Sequence, residues 1–367
     1  MIPFADLSRL RDEYSPVMKS AMEQTIQTGF LVGGPLVEKF EREFSEYVGV
    51  EQTIGVGNGL DAIQLALEAW EIGPGDEVIV PAYTFYASWL AVVKTGATLV
   101  PVDVKSSDAT LDPELITAQI TPKTRAILTV HLFGHASDMI SILQIAREYG
   151  LWVLEDVAQA HGGSIKSQML GSMGDAGAFS FYPTKNLGAI GDAGAVTTSN
   201  HTIASIIRSK RSYGSTTDKF TFETVGMNSR LDPLQAAFLS EKLRSLEATN
   251  LRRKEVAARY CMALKSRAGR VIRPDDLMAS VWHLFVVQAR DRSHFINSLK
   301  AAGVCTDLHY PYWIGQVATL KTHLRGGLVA SDFPNSRRLA RSVVSVPLGP
   351  WVSSKEVESI EAALADI

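Results

Sequence analysis

Residues 125–156 of the sequence read RAILTVHLFGHASDMISILQIAREYGLWVLED, and this stretch carries the clearest indication of the fold. Its two ends, residues 125–130 and 152–154, are short apolar runs of strand length. Between them Met139–Tyr149 has apolar residues at helical spacing, and Gly150 ends that pattern. A strand, a helix and a second strand in this order predict two parallel strands joined by a crossover helix.

The same alternation continues on both sides of this stretch. Further strands are predicted at residues 77–80, Thr98–Val102, Ala176–Ser180 and Gly194–Thr198. Short and mostly apolar runs indicate strands that are buried on both faces, as in a mainly parallel sheet covered by helices. The sequence therefore predicts an α/β fold.

The pattern changes after Pro233. Residues 234–265 show one long helical pattern, which could bridge two domains. Beyond it, a strand is predicted at residues 282–288, and helices at residues 293–302 and 355–367. A chain of 367 residues is also too long for one ordinary core. We therefore expect a large domain at residues 1–245 and a smaller α/β domain at residues 246–367.

The composition is that of an ordinary soluble globular protein. Hydrophobic residues make up 46% of the chain and charged residues 20%, with a net charge of -3. Without a basic surplus, neither nucleic acid nor an anionic membrane is an expected partner. The two cysteines, Cys261 and Cys305, lie far apart and form no CxxC pair, which fits a reducing compartment. No signal peptide and no bilayer-spanning apolar run are evident, so we expect a cytoplasmic protein.

A lysine in an unusual setting is the first candidate for chemistry. Residues 180–186 read SFYPTKN and place Lys185 in a glycine-rich loop between two predicted strands. Lysine forms Schiff bases when its surroundings lower its pKa. A loop lysine is usually only solvated. The apolar strand before Lys185 favours a chemical role, as does the hydroxyl of Ser180 five positions earlier, which is available for an anion.

Two other segments offer anchor points for a ligand. Asp156 ends a buried strand, at the edge where open α/β sheets bind ligands, and could hold a protonated ring nitrogen or cap a following helix. Residues 55–59, GVGNG, could cradle a phosphate or form a tight turn into a helix, and the segment alone favours the turn. The eight histidines show no metal-ligand spacing, so no metal site is predicted.

Taken together, these segments resemble the DegT/DnrJ/EryC1/StrS family of nucleotide-sugar aminotransferases, which depend on pyridoxal 5′-phosphate (PLP). The resemblance covers nearly the whole chain and is carried by residues 155–162 (EDVAQAHG), 174–188 (GDAGAFSFYPTKNLG) and 226–232 (GMNSRLD), with weaker matches at residues 281–285 and 309–311. It implies the fold-type I PLP scaffold. That scaffold has a large, mainly parallel sheet domain of the seven-stranded type, with helices on both faces, and a smaller C-terminal α/β domain.

The resemblance also implies a role for individual residues. Lys185 would carry the cofactor, and Asp156 would pair with its ring nitrogen and keep the ring protonated as an electron acceptor. The other cofactor contacts would come from Asn58, Gly59, Phe85, Gln159, Ser180 and Asn228. Asn228 would reach the cofactor of the neighbouring subunit, so that the active unit is a homodimer. The substrate would be contacted by Tyr182, Tyr213, His309 and Tyr310.

The implied activity is transfer of an amino group, expected from L-glutamate, to C-3 of a dTDP-linked 3-oxo-6-deoxyhexose. Residues 191–195 (GDAGA), 213–215 (YGS) and 228–232 (NSRLD) look most like the members acting at C-3. Members acting at C-4 more often have His-Gly at positions 213 and 214, and a C-4 aminotransferase is the alternative. A PLP-binding regulator without turnover is a second alternative. Residues 312–316 (YWIGQ) depart from the family pattern and leave the local substrate contacts open.

Overall fold

A computed structural model describes residues 1–215, 220–265, 267–326, 328 and 330–367. The α-helices in this part of the chain are α1 (Arg11–Thr28), α2 (Pro35–Val48), α3 (Gly59–Ala69), α4 (Tyr86–Thr95), α5 (Met139–Tyr149), α6 (His201–Lys210), α7 (Pro233–Leu243), α8 (Leu246–Ala263), α9 (Arg292–Ala301), α10 (Pro334–Ser342) and α11 (Ser354–Asp366). The strands are β1 (Gln52–Val56), β2 (Glu77–Pro81), β3 (Thr98–Val102), β4 (Thr124–Val130), β5 (Trp152–Asp156), β6 (Ser164–Ile165), β7 (Gln168–Met169), β8 (Ala176–Ser180), β9 (Gly194–Thr198), β10 (Gly269–Val271), β11 (Phe285–Ala289) and β12 (Val343–Val346).

A seven-stranded sheet forms the centre of the larger domain, in the order β1-β9-β8-β5-β4-β2-β3. The strands from β8 to β3 are parallel to their neighbours, whereas β9 runs antiparallel to both β8 and β1. The predicted mainly parallel sheet is therefore confirmed, as is the crossover helix α5 between β4 and β5.

Alternate residues of the central strands belong to different cores, which shows that helices cover both faces of the sheet. Val78 and Val80 pack in the same core as Leu65 of α3, whereas Ile79 packs in the core that contains Ile142 of α5. Side chains of one strand point alternately to the two faces, so both faces are buried. This explains the uninterrupted apolar runs in the sequence.

The smaller domain has its own antiparallel sheet, in the order β10-β11-β12, and a separate core. Side chains from α8, α9 and α11 fill this core, among them Tyr260, Phe295 and Ile360. Leu10, from the start of the chain, belongs to the same core. None of the helices in the described ranges is long and apolar enough to cross a membrane.

Two sequence-based boundaries differ from the structure. The single helix predicted for residues 234–265 is interrupted at residues 244–245, between α7 and α8. Leu246 and Tyr260 pack in different cores and both lie on α8, so α8 extends from one core to the other. The strand predicted for residues 282–288 begins only at Phe285. Trp282 has a φ of 48°, and a residue in this left-handed conformation cannot lie within an extended strand.

Candidate active site

Most of the predicted site residues converge on one cavity of about 430 Å³. It is lined by Asn58, Gly59, Phe85, Asp156, Gln159, Ser180, Tyr182, Lys185, His309 and Tyr310. Because Asp156 ends β5 and Ser180 ends β8, the cavity lies at the carboxyl edge of the parallel strands. Tyr213 and Asn228 lie outside it, on two segments joined where Ser212 pairs with Asn228.

Lys185 follows β8 in a tight turn. Its backbone N–H donates to the carbonyl of Tyr182 at 2.8 Å, which closes this turn. Burial lowers the pKa of the Lys185 amine to about 8, although the carboxylate of Asp156 opposes this effect. A larger fraction of this amine is therefore neutral near pH 7 than for an ordinary lysine, and the neutral amine is the nucleophile.

Asp156 is buried and holds two hydrogen bonds. Its Oδ2 accepts from the hydroxyl of Ser88 at 2.8 Å, and its Oδ1 accepts from the backbone N–H of Ala158 at 3.1 Å. Burial raises the pKa of the Asp156 carboxyl above its ordinary value, and these hydrogen bonds and the charge of Lys185 act in the opposite direction. The carboxylate is therefore placed to hold a cationic partner in the cavity.

Asp156 does not cap a helix, so that alternative is wrong. Residues 157–163 form turns and irregular backbone, and the bond from Ala158 closes a short turn instead. Ser88, in the first turn of α4, was missed by the sequence-based prediction. The available signal was a serine within the mostly apolar residues 86–93, three residues after Phe85.

The N-terminus of α3 and Ser180 together fit a phosphate group. The side chain of Asn58 caps the helix by accepting from the N–H of Asp61 at 2.9 Å, which leaves the backbone at Gly59 facing the cavity. A Cβ at Gly59 would lie 2.6 Å from the Cβ of Ser180, so only glycine allows this approach. Free N–H groups at a helix start beside a hydroxyl form an anion site. The predicted turn into a helix at residues 55–59 is confirmed, and this turn also has the features of a phosphate-binding site.

Gln159 and Tyr310 line the cavity and are hydrogen-bonded to each other. The N–H of Phe133 donates to Gln159 Oε1 at 2.7 Å, and Gln159 Nε2 donates to the hydroxyl of Tyr310 at 2.9 Å. Tyr83, fully buried, accepts from the N–H of Tyr310 at 2.5 Å and donates to its carbonyl at 3.0 Å. The ring of Phe85 lies 5.4 Å from that of Tyr310. These contacts fix the segment after His309 against the large domain.

His309 and several residues that the sequence-based prediction missed complete the cavity. His309 Nδ1 lies 2.9 Å from the hydroxyl of Ser345, and burial lowers the pKa of its imidazole. The missed polar residues are Thr84, Ser88, Thr184, Asp192 and His283. Asp192 and His283 fall within segments that already matched the family pattern, residues 191–195 and 281–285. Their positions in these segments were the available signal.

The residues that line the cavity fit PLP. Gly59 and Ser180 form an anion site, Asp156 offers a carboxylate for a protonated ring nitrogen, and Lys185 offers an amine for an aldehyde. Phe85 is an exposed aromatic ring on the cavity wall, suited to cover a flat heteroaromatic ring. All five residues belong to one chain.

Known proteins resemble this chain over nearly its whole length. The model of the DegT/DnrJ/EryC1/StrS aminotransferase family matches residues 15–365. The dTDP-3-amino-3,6-dideoxy-alpha-D-galactopyranose transaminase of Aneurinibacillus thermoaerophilus is 43% identical over 364 residues, covering 99% of each chain. The dTDP-3-amino-3,4,6-trideoxy-alpha-D-glucose transaminase of Streptomyces venezuelae is 42% identical over 357 residues, which are 95% of this chain and 91% of the relative. A crystal structure of Streptomyces venezuelae DesV in complex with a ketimine intermediate superposes with a TM-score of 0.94 at 40% identity, covering 100% of this chain and 98% of DesV.

Proposed function

The chain belongs to the DegT/DnrJ/EryC1/StrS aminotransferase family, and we propose that it transfers an amino group from L-glutamate to C-3 of a dTDP-linked 3-oxo-6-deoxyhexose. Membership makes the protein a PLP-dependent aminotransferase that acts on the keto group of a nucleotide sugar. It is an enzyme, so the alternative of a non-catalytic regulator is set aside.

One observation supports C-3 as the carbon that receives the amino group. The two relatives at 42% and 43% identity are both named for an amino group at C-3 of a dTDP-linked deoxyhexose, and the matches cover 95% and 99% of this chain. The pair Tyr213-Gly214, where members acting at C-4 more often have His-Gly, supports the same position. L-Glutamate is proposed because an amino-acid donor is typical of transaminases.

The proposed roles follow from the chemistry of each side chain. PLP, when bound, supplies an aldehyde that bonds to amines and a ring that withdraws electrons from the adjacent carbon. The carboxylate of Asp156 holds the proton on the ring nitrogen. As a neutral amine, Lys185 Nζ would take the proton from the amino-bearing carbon of the donor. Ser180 and the backbone of Gly59 anchor the phosphate, and Phe85 covers the ring.

We also propose that the enzyme is a homodimer with shared sites. Asn228 is exposed and lies outside the cavity of its own chain, as expected for a residue that serves the partner. Large apolar side chains are exposed on two segments, and soluble monomers rarely expose such patches. They are Met18, Met22, Ile26, Phe30, Leu31 and Val32 on the first segment and Tyr213, Phe222 and Val225 on the second. A cytoplasmic location stays a prediction from the sequence.

A product assay tests the position of amination. The PLP-loaded enzyme is incubated with L-glutamate and a panel of 3-oxo and 4-oxo dTDP-deoxyhexoses, and products are identified by mass spectrometry and NMR. We expect an amino group at C-3 and no turnover by Lys185→Ala. Amination of the 4-oxo sugars alone would contradict the proposal and favour the C-4 alternative.

A further inference from the structure

A hydrogen-bonded network of three side chains joins the start of α3 to the loop at residues 226–231, which carries Asn228 and is called the Asn228 loop below. The network consists of Asn58, Asp61 and Ser229, together with the backbone N–H of Gly57. Asn58 lines the cavity as the N-cap residue of α3, whereas Asp61 and Ser229 lie outside the cavity. The network therefore extends from the cavity to the residue next to Asn228.

The direction of every hydrogen bond in this network can be assigned. The N–H of Gly57 can only donate, so Ser229 Oγ accepts from it, at 2.9 Å. The hydroxyl hydrogen of Ser229 is then available to Asp61 Oδ2, at 2.7 Å. The N–H of Asp61 donates to Asn58 Oδ1 at 2.9 Å, and Asn58 Nδ2 donates to Asp61 Oδ2 at 3.0 Å. The hydroxyl of Ser229 thus both accepts and donates within the network.

Ser229 and Asn228 are neighbours with opposite surroundings. Ser229 is 2% exposed, and its backbone N–H donates to the carbonyl of Arg211 at 2.9 Å. Asn228 is exposed, and its backbone pairs with that of Ser212 in an isolated antiparallel bridge. The backbone of the Asn228 loop is therefore tied to the residues that follow α6, whereas the hydroxyl of Ser229 ties the loop to the start of α3.

Two features indicate that the contact made by this hydroxyl is strong and close. A hydrogen bond to a carboxylate, as between Ser229 and Asp61, is stronger than one between neutral groups. A Cβ on Gly57 would lie only 3.2 Å from Ser229 Oγ, so the Asn228 loop packs tightly against the turn before α3. Removal of the hydroxyl would take this partner away from both the Asp61 carboxylate and the N–H of Gly57.

We propose that Asp61 and Ser229 position Asn228 for the cofactor of the partner subunit. The inference rests on the proposed homodimer, in which Asn228 of one chain serves the site of the other. Each chain then uses the start of α3 twice. The backbone at Gly59 holds the phosphate of its own site, and the Asp61 carboxylate holds, through Ser229, the loop that reaches the other site. Asp61 and Ser229 are positioning residues, since neither lines the cavity of its own chain.

Two other interpretations of Ser229 must be separated from this one. The backbone contacts with Arg211 and Ser212 could hold Asn228 without help from the hydroxyl. Alternatively, Ser229 could act only within its own chain, because it also contacts Gly57 beside the phosphate site of that chain. The first interpretation predicts no effect when the hydroxyl is removed, and the second predicts an effect on the same chain's site alone.

The test measures PLP binding in mixed dimers of full-length chains, purified through two different tags. One chain carries Lys185→Ala and Ser229→Ala, and the other chain is wild type. Their one intact Lys185 lies in the wild-type chain, whose site draws Asn228 from the Ser229→Ala chain. PLP bound to Lys185 is measured, over a range of PLP concentrations, from the pyridoxyl adduct that borohydride reduction leaves on this lysine. The readout is cofactor affinity and does not depend on turnover.

We expect this site to bind PLP about fivefold more weakly than in mixed dimers whose first chain carries Lys185→Ala alone, because Asn228 is present but no longer held in place. Ser240→Ala, combined with Lys185→Ala in one chain, is the matched control and should leave the affinity unchanged. Ser240 is also 2% exposed, and its hydroxyl has no hydrogen-bond partner in the described part of the chain. An unchanged affinity with Ser229→Ala, or equal weakening by both serine variants, would overturn the proposal.

Asn228→Ala, placed in the chain that carries Lys185→Ala, distinguishes failure of this inference from failure of the proposed sharing of sites. If Asn228→Ala weakens the site of the wild-type chain and Ser229→Ala does not, the sharing stands and the positioning role is wrong. If neither variant weakens that site, Asn228 does not serve the partner, and both proposals fail.

Discussion

Among single residues, Lys185 and Asp156 show how burial prepares a site for chemistry. Burial favours the neutral form of each, lowering the pKa of the amine and raising that of the carboxyl. Their mutual attraction opposes both shifts. Near neutral pH a larger fraction of the Lys185 amine is therefore neutral than in an exposed lysine.

Ser88→Ala tests the contribution of the hydroxyl that donates to Asp156 at 2.8 Å. A hydrogen bond to a charged group contributes about 1.5–3 kcal/mol, so its loss disfavours the carboxylate. The pKa of Asp156, which burial already raises, then rises further. On acidification, the variant therefore loses the active ionised carboxylate at a higher pH than the wild type does. We expect the single-turnover rate with L-glutamate to fall about tenfold or more at pH 6, and less at pH 8.

Two variants serve as controls for Ser88→Ala. Ser88→Thr keeps the hydroxyl and should restore most of the rate at pH 6. Asp156→Asn should lose orders of magnitude at every pH, because an amide cannot stabilise a protonated ring nitrogen. A loss in Ser88→Ala that is the same at pH 6 and pH 8 would mean that Ser88 acts through packing alone.

The sequence identifies the residues that carry the chemistry better than those that support them. Lys185 and Asp156 stand in motifs, at the ends of recognisable strands. Ser88 is 68 residues from Asp156, and Ser229 is 172 residues from Gly57. Such contacts exist only once the strands and helices have packed, so a local pattern can single out a residue but cannot show which partner it will contact.

At the level of helices and strands, the sequence predicts an element correctly when residues next to its two ends determine where it begins and stops. Met139–Tyr149 is a helix with the predicted bounds, because Asp138 caps its start and Gly150 adopts the left-handed conformation at its end. The break between α7 and α8 has no such local cause. Residues 234–265 have continuous helical propensity, so nothing in their pattern marks the interruption at residues 244–245.

Gly59→Ala tests the approach of α3 to β8. The added Cβ would lie 2.6 Å from the Cβ of Ser180, so the two segments that would hold the phosphate must move apart. Overpacking of this kind costs about 1–3 kcal/mol, and we expect PLP affinity, measured by absorbance titration, to fall about tenfold. Gly73→Ala is the matched control, since its Cβ would meet only the carbonyl of Thr95 at 3.5 Å. Equal affinity in the two variants would exclude the cradle.

For the molecule as a whole, the sequence predicts two domains and a mainly parallel sheet. Apolar strands that alternate with helices form a sheet whose two faces are covered by those helices. It does not show how the start of the chain packs. Leu10 joins the core of the smaller domain, more than two hundred residues away in sequence, and no pattern near Leu10 indicates this partner.

Mixed dimers test the proposed sharing of sites. Chains carrying Asn228→Ala are co-expressed with chains carrying Lys185→Ala, and dimers with one chain of each kind are purified through different tags. Their one intact Lys185 belongs to the Asn228→Ala chain, and its site draws Asn228 from the partner. That site should bind PLP normally, whereas the Asn228→Ala homodimer should bind it about tenfold more weakly, having lost a charge-assisted hydrogen bond. Equal weakness in both dimers would place Asn228 in the site of its own chain.

The attachment of the cofactor to Lys185 is the most direct test of the whole interpretation. The PLP-loaded enzyme is reduced with borohydride, digested and examined by peptide mass spectrometry. We predict a single pyridoxyl adduct, on the peptide that contains Lys185, and its loss when the enzyme is first incubated with L-glutamate, because transfer of the amino group frees the lysine. An adduct on another lysine, or one that persists after L-glutamate, would contradict it.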